Sequence, residues 1–505
     1  SLKDDLKAIE DFYGSKGYID VRSGGPNLYA VQIPNTDAGT MDLEYHIQES
    51  QQYKIEKIEI RGNVKTRDRV IRRELAVSPG DTFDMLRVNL SKRRLEGLGY
   101  FTPDTGVDAK PESDPTLPSD TKNLVITVQE QSTGNMTFGA GYDTVESISG
   151  FVQVEERNFD LFKPPYFIGQ GGGQKVRLYI QVGALVQNYE LDFQEPWFMG
   201  RKLILDTSIY RQVSDYQSLN NLYDLAHTGF RVGLTRALGS DFLIGTIGYN
   251  LEQVNVFNVN LNSPNTILND SGTALLNRFK ASLAWDSRND VKLPNGGNRT
   301  SISTEMTVGD RSYLKTEVSS AWYFKGFAKG HVLEVVGRAG VAQPMGVDDV
   351  PFYDRYYLGG LRDLRGFDYP GVGPREVTQD GSEYEPIGGD TFWMGSLEYS
   401  VPVMGPVRFA TFFDIGNVSA RPWSNAGYTV IGKQNEGLIN QLQPGFSQFN
   451  AGNTGSYSDN WGVGLHIDIP NLGPLRLDYG IPIRHDQFNS GSGKFQFGVG
   501  FARPL

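Results

Sequence analysis

Phe279-Lys280-Ala281-Ser282-Leu283-Ala284-Trp285-Asp286 decides the fold of this chain. Its odd positions Phe279, Ala281, Leu283 and Trp285 are apolar, while Lys280, Ser282 and Asp286 are polar. Successive side chains of a strand point to opposite faces, so a period of two sorts residues onto the two sides of a sheet. The pattern recurs further along the chain. Val407, Phe409, Thr411 and Phe413 alternate with Arg408, Ala410, Phe412 and Asp414. Leu475, Leu477, Tyr479 and Ile481 alternate with Arg476, Asp478 and Gly480, and Phe495, Phe497, Val499 and Phe501 with Gln496, Gly498 and Gly500. From Gly134 onward there are about sixteen such segments, as in the even-numbered antiparallel barrels of outer membranes.

At 505 residues the chain could hold about three average domains, although a large barrel absorbs most of that length as one. Only 39% of residues are hydrophobic, and no stretch approaches the ~20 consecutive apolar residues of a membrane-spanning helix. That excludes a helical membrane protein but not a barrel, whose strands hide their signal in alternation. The 59 glycines, 25 tyrosines and 28 phenylalanines suit barrel turns, curvature and interfacial girdles. A soluble sandwich alternates too, but typically has about seven to nine strands. Inside a bilayer every backbone group must pair and no edge stays open. The expected fold is therefore mainly β, a transmembrane antiparallel barrel with its apolar parity toward lipid and its charged parity toward the lumen.

A net charge of −11 argues against a nucleic-acid partner. With no cysteine there is neither a disulfide framework nor a thiolate metal site. His46, His227, His331, His466 and His485 are scattered without metal-ligand spacing. Gly491-Ser492-Gly493-Lys494 lacks the first glycine of a phosphate loop and precedes a strand, and no Gly-x-Ser-x-Gly elbow occurs. No catalytic residue, metal site or cofactor is expected, so the chain does not read as an enzyme. It begins at Ser1 without a charged-then-apolar leader, as a mature or trimmed form would.

Residues 1–50 read as a partial module. Leu2, Leu6, Ile9 and Phe12 have helical spacing, Gly14-Ser15-Lys16-Gly17 ends the helix, and Tyr18–Val21 and Met41–Ile47 read as strands. Residues 51–132 read as a complete β-α-α-β-β module. A strand through Tyr53, Ile55, Ile58 and Ile60 leads to a helix from Thr66, its expected N-cap, to Leu75. After a turn at Pro79-Gly80-Asp81 come a helix over Phe83–Leu98 and strands at Val107–Lys110 and Asn123–Val128. Arg67, Arg69, Arg72, Arg73, Lys92, Arg93 and Arg94 give these helices a basic candidate docking face.

Residues 133–505 form the expected barrel. Short turns at Gly200-Arg201, Leu238–Ser240 and Asn471–Gly473 alternate with long segments near 158–173, 214–224, 256–274, 344–389 and 419–458. Such barrels carry short periplasmic turns and longer outer loops, which puts residues 1–130 in the periplasm. The segment 344–389, roughly 45 residues, is long enough to be either functional or disordered. Its aromatic-rich run from Pro351 to Pro370 makes disorder costly, so it is expected to fold against something.

Several stretches resemble one family. Arg61-Gly62-Asn63 after the first strand and Gly97-Leu98-Gly99-Tyr100-Phe101 after the second helix resemble a POTRA domain. Leu364-Arg365-Gly366-Phe367 resembles the loop-six motif of the BamA family of outer-membrane assembly proteins, and Phe412-Phe413-Asp414-Ile415-Gly416 its barrel-wall motif. Ser396–Tyr399, Gly473–Tyr479, Phe495–Gly500 and Trp285-Asp286-Ser287-Arg288 with Pro294 resemble further barrel segments in the same order.

The resemblance implies a sixteen-stranded barrel in the bacterial outer membrane behind periplasmic POTRA domains. Loop six, carrying Arg365, Gly366 and Phe367, would fold back onto Asp414, Glu398, Phe412 and Gly416. It also implies an insertase that consumes no nucleotide. Its partners would be unfolded outer-membrane proteins, accessory assembly lipoproteins at the POTRA domains, and membrane lipid. Clients would insert through a lateral seam between strand one, with Gly139 and Gly141, and strand sixteen, with Phe495, Phe497, Gly498 and Gly500. An interior glycine costs a strand about 0.5–1 kcal/mol relative to alanine, which would weaken that seam. The rival is a two-partner-type secretion transporter that passes a dedicated substrate through the lumen. The chain departs from the family by running past Phe501 as Ala502-Arg503-Pro504-Leu505, and Pro504, with no N–H to donate, is expected to leave the seam.

Overall fold

The computed structural model describes residues 2–35, 39–165, 168–215, 218, 220–291, 293–423, 430–431, 457–469, 473–486 and 488–499. The chain divides into two compact units, residues 1–135 with 155–176, and residues 136–154 with 177–505.

In the first unit, the Leu2 periodicity becomes the helix Leu2–Ser15. The strand expected at Tyr18–Val21 is a turn instead. Tyr18 N–H bonds Tyr13 O at 3.1 Å and Val21 N–H bonds Tyr18 O at 3.2 Å, so the helix end claims the backbone, while Ile19 and Val21 are buried as anchors. The partner of Thr40–Ile47 is Leu28–Asn35, which the sequence pattern did not reveal. Farther on, Thr121–Val128 lies at the centre of a three-stranded sheet, parallel to Lys54–Arg61 and antiparallel to Val107–Glu112. The helix Met85–Gly97 starts at Asp84, whose carboxylate accepts the N–H of Leu86 at 2.9 Å and of Arg87 at 3.1 Å, the usual service of an N-cap aspartate. Its Val88 and Leu95 pack with Ile55, Val70, Phe83 and Leu124 in one apolar core.

Thr66 is not an N-cap. The short helix spans Asp68–Arg72, with Arg67 at the cap position and no side-chain cap. The Thr66 hydroxyl accepts from Asn158 Nδ2 at 2.9 Å, and a residue far along the chain takes the backbone donors ahead of the helix. The Glu130 carboxylate accepts the N–H groups of Thr66 at 2.6 Å, Lys65 at 2.8 Å and Val64 at 3.1 Å. Burial alone would raise the Glu130 carboxyl, but these hydrogen bonds outweigh it and hold the group below the ordinary glutamate value. A carboxyl depressed on folding contributes stability that is fully present above the unfolded value, about 4.3, and is lost as pH falls through the lower folded value. Hydrogen exchange, corrected for intrinsic rates, should therefore show amides 64–66 protected at neutral pH and losing protection only below about pH 4. Glu130→Gln should remove that acid step.

Sixteen strands among the described residues make one closed antiparallel barrel in the expected order. They are β1 Gly134–Asp143, β2 Ser147–Asp160, β3 Gln174–Gly183, β4 Val186–Glu195, β5 Ile204–Ser214, β6 Asp224–Ala237, β7 Leu243–Phe257 and β8 Gly272–Asp286. The second half comprises β9 Gly297–Gly309, β10 Tyr313–Lys325, β11 Val332–Pro344, β12 Thr391–Met404, β13 Val407–Ser419, β14 Ser458–Ile469, β15 Gly473–Arg484 and β16 Lys494–Val499. Strand β16 meets β1 and closes the ring, and a two-residue piece, Gly169–Gln170, pairs with the end of β2.

Parity reads as the alternation predicts. Phe279, Leu283, Trp285, Phe409, Tyr479 and Phe495 face outward and are exposed, whereas Ala410, Phe412, Asp414, Asp478 and Gln496 face inward and are buried. One loop was misplaced. Because strands alternate in direction, the connection between β2 and β3 lies at the opposite end from the one between β11 and β12, so 158–173 is not an outer loop. It belongs to the first unit, where Arg67 N–H bonds Gly171 O at 3.0 Å, Arg67 pairs with Asp160 at 2.5 Å, and Asn158 donates to Thr66 Oγ1 at 2.9 Å.

Candidate functional site

The connection between β11 and β12 carries a 3-10 turn, Phe352–Asp354, and a short hairpin of Arg375–Val377 with Tyr384–Pro386. Its aromatic run is buried, as its composition demands. Tyr356, Leu358, Leu364 and Phe367 pack with Tyr313, Val336, Phe392, Met394 and Val418 of the wall in one apolar cluster. That packing sets down Arg365, which has 0% of its surface exposed.

Arg365 meets both expected carboxylates. Its Nε donates to Asp414 Oδ2 at 2.9 Å and Nη2 to Asp414 Oδ1 at 2.8 Å, the planar fork matched to one carboxylate. Nη1 donates to Glu398 Oε2 at 2.6 Å, and the Arg365 backbone N–H reaches Asp414 Oδ2 at 3.2 Å. The guanidinium carbon sits 3.4 Å from the centroid of the Phe412 ring, a cation–π contact shielded from water. Gly416 lies against Leu358 and Leu364, where a Cβ would approach their Cδ1 atoms to 3.1 Å. Phe367 is buried in the apolar cluster, and a Cβ on Gly366 would meet the Asn460 side chain at 2.6 Å. Arg365, Gly366 and Phe367 are thus brought together with Asp414, Glu398, Phe412 and Gly416.

The sequence did not single out the rest of this nest. Asp478 on β15 faces Arg365 Nη1 at 3.5 Å, and Ser396 Oγ donates to Asp414 Oδ1 at 2.6 Å. Asn460 Nδ2 donates to Asp414 Oδ2 at 3.1 Å, while His466 sits between Asp478 Oδ1 at 2.9 Å and Glu398 Oε1 at 3.5 Å. Gly480 on β15 faces the motif backbone itself. Alternation placed Asp478 and Gly480 on the lumen face, but only the folded loop shows which lumen residues it touches.

A second anchor holds the start of the loop. Arg278 on β8 donates to both Asp354 oxygens, at 3.1 and 2.8 Å, and its Nε donates to Glu252 on β7 at 2.7 Å. The Tyr313 hydroxyl also bonds Asp354, and Lys315 Nζ donates to Asp354 O at 2.9 Å. The loop is therefore tied to the wall at β8 and again at β12 through β15.

At the seam, Thr144 N–H donates to Phe497 O at 3.2 Å, and the rings of Tyr142 and Phe497 stack with centroids 5.9 Å apart. A Cβ on Gly139 would meet the Phe151 ring at 2.9 Å, so its missing side chain makes room for a neighbour. Gly141 has open space where a Cβ would stand. Gly498 pairs with Arg476, and Phe495 faces outward. Gly500 and the tail Ala502–Leu505 lie outside the described residues.

Comparison with known proteins gives concordant matches. The Omp85 superfamily domain matches residues 170–502, and the surface antigen variable number repeat, a POTRA domain, matches residues 53–131. The chain is 28% identical to outer membrane protein assembly factor BamA of Neorickettsia risticii, over 75% of this chain and 49% of that protein. BamA from Haemophilus ducreyi lacking POTRA domains 1–3 has a crystal structure similar at TM-score 0.75 and 21% identity, covering 99% of this chain and 92% of that one. CdiB from Acinetobacter baumannii is similar at TM-score 0.53 and 14% identity, covering 99% and 81%. The chain spans about half the length of the curated relatives it matches first. With that superfamily domain running from β3 to the end of the barrel, the chain belongs to the Omp85 superfamily.

Proposed function

We propose that this chain folds and inserts client β-barrels into the bacterial outer membrane through the seam between β1 and β16. In this reading residues 1–50 are part of one POTRA domain, residues 51–132 a complete one, both periplasmic, and residues 133–505 the membrane barrel. The clients are unfolded outer-membrane proteins. Accessory assembly lipoproteins would dock on the POTRA helices. Arg67 and Arg73 of the basic face are already engaged within their own unit, Arg67 by Asp160 and Arg73 by Gly173 O at 3.3 Å. That leaves the docking role to Arg69, Arg72, Lys92, Arg93 and Arg94.

The observation that carries the reading is an uneven seam. Near the end of β1, Tyr142 and Thr144 are fastened to Phe497. Toward its start, the outward side chains stand uncovered. Phe138 is 78% exposed, against 45% for Phe279 and 47% for Leu283 in the middle of the wall. A strand edge released where such a seam parts is one that an incoming strand can lengthen by β-augmentation, with main-chain hydrogen bonds supplying the affinity. In a bilayer, where unpaired backbone groups cost several kcal/mol each, such an edge favours a client strand over lipid. The relatives named as assembly factors support the same reading.

The absence of cysteine makes the test direct. Tyr142→Cys with Phe497→Cys should cross-link on oxidation, and the protein in lipid vesicles should then stop inserting a client barrel until reductant is added. Undiminished insertion by the cross-linked protein would refute the seam route. It would point instead to secretion of a dedicated substrate through the lumen.

A further inference from the structure

We infer that the loop tip is a clasp across the seam, and that Gln496 is the positioning residue joining loop docking to seam closure. This rests on the seam as the functional edge. Gln496, on β16 and 2% exposed, divides its amide between two partners. Its Nε2 donates to Phe367 O of the loop motif at 3.1 Å, and its Oε1 accepts the Thr144 hydroxyl at 2.6 Å. Thr144 lies in the connection that joins β1 to β2, so one buried side chain touches the loop and both sides of the seam. An amide is suited to this, because its donor and acceptor are separate atoms that can serve different neighbours at once.

Flanking contacts run the same way. Lys494 on β16 pairs with Asp368 at 2.6 Å, and Arg362 approaches Glu146, beyond β1, at 3.7 Å. A Cβ on Gly360 would come within 3.3 Å of Val145 Cγ2. Residues 360–368 therefore touch β16 on one side and the 144–146 connection on the other, while Arg365 between them is held by β12 and β13. Opening the seam must break the link from Gln496 to Thr144, and a moving β16 must then either break its link to Phe367 or drag Phe367 with it. Conversely, undocking Arg365 withdraws a partner from Gln496. The two events share one free energy, and such coupling is reciprocal.

Spin labels on Phe138→Cys and Phe495→Cys, both outward-facing, would read the seam width in lipid nanodiscs by pulsed dipolar spectroscopy. Gln496→Leu should raise the long-distance population roughly threefold or more. Gln496→Glu, which keeps an acceptor for Thr144 but gives up the N–H to Phe367 O, should do the same. Arg365→Ala should widen the seam in the parent yet add little in the Gln496→Leu background, since both changes break one connection. Where Arg365→Ala does not fold, Lys494→Met, which removes the exposed tie to Asp368, replaces it in the same comparison. An unchanged distance distribution in Gln496→Leu, or effects that multiply independently, would overturn the clasp. Client insertion measured in parallel separates the two readings. A wider seam without altered insertion leaves the clasp standing and counts against the seam as insertion route.

Discussion

Arg365→Ala is expected to lower barrel stability by about 3–5 kcal/mol, the range for breaking a buried ion pair from one side. Asp414 and Asp478 are fully buried and Glu398 nearly so, all within 3.5 Å of the guanidinium. Removing the cation leaves these carboxylates facing one another, with Arg476 3.7 Å from Glu398 and His466 as the remaining basic neighbours. The loss goes beyond the pair, because Arg365 also carries the motif onto the Phe412 ring. Arg365→Lys restores the charge but not the planar fork that reaches Asp414 and Glu398 together, so it should recover only part of the loss. Thermal unfolding in detergent, followed by the heat-dependent gel mobility of the barrel, checks both variants. A midpoint for Arg365→Ala equal to the parent's would mean that the buried cluster does not hold the loop.

The second large effect comes from a glycine. Intrinsic strand preference says that Gly480→Ala, in the interior of β15, should stabilise by about 0.5–1 kcal/mol. The packing says the opposite. A Cβ there would lie 2.6 Å from the carbonyl carbon of Arg365 and 2.6 Å from the nitrogen of Gly366. Both are backbone atoms, so relief requires the motif to lift from the wall, and the steric term should win. Gly480→Ala should undock the loop while leaving every charge in place. Trypsin should then cut after Arg365 in the variant but not in the parent. Gly337→Ala is the control, since nothing lies within 4 Å of its Cβ and β11 should accept it without loss. If the two variants resist trypsin equally, close backbone approach is not what Gly480 provides.

The barrel was legible because alternation is a local property of each strand. It placed Asp414, Asp478 and Gly480 on the inward face before any distance was known. The loop contacts on that face were legible only in part. The family motif supplied Asp414, Glu398 and Phe412, but Asn460, His466 and Gln496 face the loop through the closure of the ring, which no window of sequence contains. The errors have a similar origin. Thr66 has the residue type of an N-cap, yet its hydroxyl is engaged by Asn158, remote in sequence. Tyr18–Val21 alternates like a strand, but its backbone bonds to the preceding helix end. The segment 158–173 has the length and glycines of an outer loop, and only the count of strands sends it to the other end.

The two anchors of the loop have a geometric consequence. Arg278 stands on β8 and Asp414 on β13, so the chain between Asp354 and Arg365 spans the ring as a chord of fixed length. Adding a strand to a ring lengthens its perimeter. On the arc from β8 to β13 every neighbouring pair of strands is hydrogen-bonded, with one register shift between Pro402 and Met404, and the chord holds its ends. The extra perimeter must therefore be taken up on the other arc, which runs through β16 and β1.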